Sequence, residues 1–91
     1  MRHRLSTHAE RDLVDIYLWT HGAFGERQAD KYLQELERVF ELIAENPRMG
    51  RLHDTRTRKV VHGRHVIFYR LVGEVVVIGR ILHGARGRLE R

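Results

Sequence analysis

Residues 64–83 read Arg64-His-Val-Ile-Phe-Tyr-Arg-Leu-Val-Gly-Glu-Val-Val-Val-Ile-Gly-Arg-Ile-Leu-His83, and the fold hinges on how this stretch pairs. Two β-branched and aromatic runs flank Gly73-Glu74. Gly at the first position of a two-residue loop supplies the positive φ of a type II′ turn, so His65–Val72 and Val75–Leu82 are expected to pair as antiparallel strands. The expected register sets Val72 against Val75, Arg70 against Val77, Phe68 against Gly79 and Val66 against Ile81 on one face. Leu71 and Val76, Tyr69 and Ile78, Ile67 and Arg80, and His65 and Leu82 share the other. Both faces carry apolar side chains, and a sheet apolar on both faces is covered on both.

The preceding chain supplies one cover. Thr7-His8-Ala9-Glu10 fits a capping box opening a first helix, with Ala9, Leu13, Ile16, Tyr17 and Thr20 at helical spacing. Gly22 and Gly25 bracket its end. A second helix is expected over 26–45, with Ala29, Tyr32, Leu33, Leu36, Val39, Phe40 and Ile43 in one stripe. Asn46-Pro47 stops it, because the residue before Pro avoids the helical region. The short link makes an antiparallel helical hairpin. Arg2–Ser6 is a weakly patterned edge-strand candidate. Residues 52–57 are polar and expected to be irregular, and Arg58–His62 reads as a further strand turning at Gly63. The fold class is therefore α+β, with a small antiparallel sheet packed on an N-terminal helical hairpin in the order β-α-α-β-β-β. The second sheet face is expected to lack any cover from within the chain.

Ninety-one residues make one domain, 1–91, with 82–91 a basic tail carrying two glycines and no pattern of its own. The chain holds no Cys, which excludes a disulfide framework and a Cys-based zinc site. Met1-Arg-His-Arg-Leu-Ser lacks the apolar core of a signal peptide, and no apolar run approaches the ~18 residues of a membrane span. A cytoplasmic protein is expected. The net charge is +5, unevenly spread: residues 1–45 carry six basic and nine acidic side chains, residues 46–91 eleven and three. Fifteen of the seventeen basic residues are Arg, whose forked donors suit carboxylates or phosphates.

The order of short motifs resembles the ParE-type toxins of the RelE/ParE superfamily, the toxin half of bacterial toxin–antitoxin, or plasmid stabilisation, modules. The matching residues are Ala9, Asp12-Leu13 and Ile16, then Gly25, Gln28-Ala29 and Tyr32-Leu33. Asn46-Pro47 with Gly50-Arg51 follows, then Gly63 through Arg70 and Ile78 through Arg86. The family pattern closes with Arg-Asp, whereas here Arg86 precedes Gly87. The resemblance implies a growth-inhibiting toxin that binds DNA gyrase without enzymatic chemistry and a cognate antitoxin whose acidic segment folds over it. No cofactor, metal or membrane is implied, nor direct sequence-specific nucleic-acid binding.

On this reading Arg80, His83, Arg86 and Arg88 carry toxicity. The antitoxin docks on the open sheet face through His65, Ile67, Tyr69, Ile78 and Arg80. The alternative is a RelE-like ribosome-dependent mRNA endonuclease, whose chemistry needs a base, an acid and cations at the phosphorane; Arg64, Arg80, His83 and Arg86 would supply that set. The chain lacks the terminal Tyr of several such nucleases. His62 and His65 make a poor metal pair, having no third ligand at metal spacing. Tyr69 reads as sheet packing. Arg80, facing apolar Ile67 in the expected register, requires a carboxylate partner, either Asp12 within the chain or one from the antitoxin.

Overall fold

In the computed structural model, which describes residues 1–84, the hairpin forms as expected at its tip and departs from expectation at its base. Strand β4 spans His65–Val72 and β5 spans Val75–His83. Gly73 has φ 61° and, among the described residues, no non-glycine residue has positive φ, the signature of a type II′ turn. Register holds through Tyr69↔Ile78. Gly79 is then an extra residue in β5, and Phe68 pairs with Arg80, Ile67 with Ile81, Val66 with Leu82 and His65 with His83. A bulge changes which face every later side chain joins. Ile81 therefore enters the core, 2% exposed, and Arg80 no longer opposes Ile67.

The cause lies in the first strand and in Ser6, which follows it. Strand β1, Arg2–Leu5, pairs parallel with Val75–Ile78 of β5. Just past it, the Ser6 N–H donates to the Ile78 carbonyl at 2.9 Å and the Ser6 hydroxyl to the Gly79 carbonyl at 2.8 Å. The bulge thus hands two carbonyls of β5 to the chain entering the first helix. Ser6, not Thr7, is that helix's N-cap, because its hydroxyl also accepts from the Ala9 N–H at 3.1 Å.

Helix α1 runs over Thr7–Phe24, straight through Gly22, and breaks only at Gly25. Helix α2 covers Glu26–Glu45. Strand β2 is the pair Arg51–Leu52, ending on the first residue of the stretch expected to be irregular, and β3 is Arg58–His62. The sheet order is β1-β5-β4-β3-β2, antiparallel except for β1. The fold is the expected α+β arrangement with a mixed sheet.

The main core lies between sheet and helices. Leu36, Phe40 and Ile43 of α2 and Ala9 of α1 pack on Ile67, Tyr69, Val76, Ile78 and Ile81. Tyr69 is only 1% exposed. Its hydroxyl donates to the Pro47 carbonyl at 2.6 Å and accepts from the Gly50 N–H at 2.9 Å. A Cβ on Gly50 would sit 2.7 Å from that oxygen, which explains the glycine. Val66, Phe68 and Leu82 form a second cluster on the opposite face, at 5%, 7% and 3% exposure. That face is thus not the bare apolar surface expected from the sequence. Part of its cover is the β2–β3 loop, where the His53 ring meets Phe68 edge-on at 5.1 Å. Asp54 holds the loop by accepting from the Arg56 and Thr57 N–H groups at 2.8 and 2.7 Å.

Candidate functional site

The expected antitoxin face does not exist in the form the sequence suggested. Ile67, Tyr69 and Ile78 point under the helical hairpin and are at most 1% exposed. With apolar residues on both faces, alternation alone gave no sign of which set the helices cover.

Arg80 finds its carboxylate within the chain. Its Nε and Nη2 donate to Asp12 Oδ2 and Oδ1 at 2.9 and 3.2 Å, a forked pair. Asp12 Oδ2 also accepts from the Ile81 N–H at 2.8 Å. Strand β1 ends opposite Ile78, so α1 lies along the rest of the β5 edge and Asp12 satisfies a strand donor that no neighbouring strand reaches.

His83 lies at the end of β5 and His65 at the start of β4, their rings perpendicular at 5.9 Å. The Tyr32 hydroxyl is 2.7 Å from His65 Nδ1 and 3.3 Å from the His62 carbonyl. His62 Nε2 lies 3.1 Å from Glu35 Oε1. Burial lowers the His65 pKa below its ordinary value, and His83 and His62 add to the effect. Burial raises that of Tyr32. Among the described residues no group of three His, Asp or Glu side chains is placed to hold a metal ion. Arg64 sits exposed in the β3–β4 turn, its carbonyl accepting from the Gly84 N–H. Of the expected site residues the structure thus brings His65, His83 and Arg64 to one end of the sheet and ties Arg80 to α1. Arg86 and Arg88 lie outside the described residues.

Helix α1 presents a further surface, of which its spacing pattern gave no expectation. Val14, Leu18, Trp19 and Phe24 of α1 are 57–63% exposed, and Trp19 meets Phe24 edge-on at 5.9 Å. Leu5, Leu13, Val14, Leu18 and Leu33 line an apolar groove of about 750 Å³ between β1, α1 and α2. Its far rim is braced by the Tyr17 hydroxyl donating to Asp30 at 2.6 Å. The available signal was that Val14 and Leu18 are apolar yet fall outside the buried stripe.

A helical hairpin on a five-stranded mixed sheet, with an uncovered apolar groove and a basic sheet end, defines a small interaction domain of α+β class. The chain belongs to the family "ParE toxin of type II toxin-antitoxin system, parDE", whose model matches residues 4–87. It is 42% identical to Toxin ParE1 of Caulobacter vibrioides, covering 89% of this chain and 86% of that protein. It is 38% identical to Toxin ParE1 of Mycobacterium tuberculosis, covering 90% and 88%. The fold matches a chain of the chromosomal ParDE TA system from P. aeruginosa with TM-score 0.79 at 22% identity, over 91% of this chain and 95% of that one. Among the described residues no helix is long and apolar enough to cross a membrane.

Proposed function

We propose that this ParE toxin arrests growth by binding DNA gyrase and that a cognate antitoxin neutralises it. The observation that carries this reading is the family match spanning residues 4–87. His83, with Arg86 and Arg88 following it in sequence, makes the target contact. Arg80, held by Asp12, positions the end of β5 rather than reaching the target itself. The antitoxin docks in the groove beside Val14 and Leu18, since the sheet residues Ile67, Tyr69 and Ile78 are already buried against the helices. An apolar segment that folds on binding gains most of its affinity from such a groove.

The test is a gyrase supercoiling assay run beside a translation assay with purified toxin. Supercoiling activity is expected to fall with toxin concentration and to recover when antitoxin is added. Normal supercoiling accompanied by ribosome-dependent mRNA cleavage would overturn the gyrase reading.

A further inference from the structure

On the sheet face away from the helices, β2 and β3 hold two cations side by side. Arg51 and Lys59 are directly paired in register, and like charges opposite one another destabilise a sheet. Arg64, in the turn after β3, adds a third. None of the three has an ion-pair partner among the described residues. They rim an open depression of about 800 Å³ whose lining, among the described residues, also includes His83 and carries no carboxylate. Its apolar lining is Met49, Val60, Val61 and Val66, of which Val61 is 70% exposed and Val66 5%.

At the rim of this depression Arg51, Lys59 and Arg64 hold positive charge with no ion-pair partner among the described residues. Lys59 and the Gly63-Arg64 turn lie about 13 Å apart along β3 at ~3.3 Å per residue, the rise of about four nucleotides of one strand at ~3.4 Å each. We propose that Arg51, Lys59 and Arg64 form a sequence-independent binding site for the phosphate backbone of duplex DNA. The site adjoins the proposed gyrase contact at His83, and its cations are assigned to phosphates, which position a duplex without reading its sequence.

The test uses the full 91-residue chain without gyrase, and a fluorescein-labelled 20-base-pair duplex of arbitrary sequence read by anisotropy across a salt series. Wild-type protein is expected to bind with an affinity that falls linearly on log–log axes. The Arg51→Gln/Lys59→Gln/Arg64→Gln variant is expected to lose about 2.7 from that slope, roughly 0.9 per phosphate contact, and to bind at least about tenfold more weakly at low salt. All three positions are half-exposed or exposed, and circular dichroism checks that the variant is folded. A second variant, Arg86→Gln/Arg88→Gln/Arg91→Gln, separates the patch from the tail. The proposal is overturned if wild type binds no duplex, if the patch variant keeps the wild-type slope, or if only the tail variant loses it. It is also overturned if a Glu-rich peptide binds the patch and the duplex does not. Supercoiling inhibition by the patch variant is measured separately, so the gyrase reading stands or falls on its own result.

Discussion

Asp12 accepts three hydrogen bonds, two from Arg80 and one from the Ile81 backbone, and its side chain is 15% exposed against 38% for Arg80. The two partners are therefore unequal. Asp12→Ala removes the carboxylate from the Arg80 guanidinium and the acceptor from the Ile81 N–H, and is expected to cost about 2–3 kcal/mol by urea denaturation. Arg80→Ala leaves the Ile81 bond in place and is expected to cost about 1 kcal/mol, the scale of a partly solvated pair. Equal losses would mean that the Ile81 bond contributes nothing. His65 makes a pH-dependent contribution. Its folded pKa is depressed below 6.5, chiefly by burial, so below 6.5 the unfolded chain binds the proton more readily than the folded one. The stability this represents is complete above pH 6.5 and is lost as pH falls from there toward the lower folded value. Denaturation of His65→Gln across pH 5–8 is expected to show a shallower acid-side decline than wild type.

At the scale of elements, Tyr69 joins the loop after α2 to the centre of the sheet. The Tyr69→Phe variant keeps the packing but leaves the buried Gly50 N–H without its acceptor, and is expected to lower stability by about 1–3 kcal/mol in a thermal or urea melt. The two helices, the hairpin and its II′ turn, and β3 were legible because each rests on a local signal: a 3.6-residue stripe, a Gly-led two-residue loop, a Pro stop. The bulge was not, because Gly79 lies in a run that reads equally well with or without it. Its cause is Ser6, 73 residues away in sequence, bonding to the Gly79 carbonyl. Strand β2 has two residues and exists only through its pairing with β3.

At the scale of the molecule, the groove between β1, α1 and α2 makes a prediction of its own. Leu18 is 63% exposed, so Leu18→Glu is expected to leave thermal stability within about 0.5 kcal/mol of wild type, as surface changes do. It is expected to weaken antitoxin binding by tenfold or more in titration calorimetry. Unchanged affinity would place the antitoxin elsewhere. Sequence alone settled the α+β class, the helical hairpin, the central strand pair and the resemblance to ParE toxins, because these rest on short-range periodicity and on the order of motifs along the chain. Asp12 was already named as one possible partner for Arg80. The assignment of Ile67, Tyr69 and Ile78 to the covered face, the closing of the Arg80–Asp12 pair and the exposure of Val14 and Leu18 belong to the tertiary structure. The reason is physical: a strand apolar on both sides specifies that both are covered but not by what, and only the docking of α1 along the β5 edge breaks that symmetry.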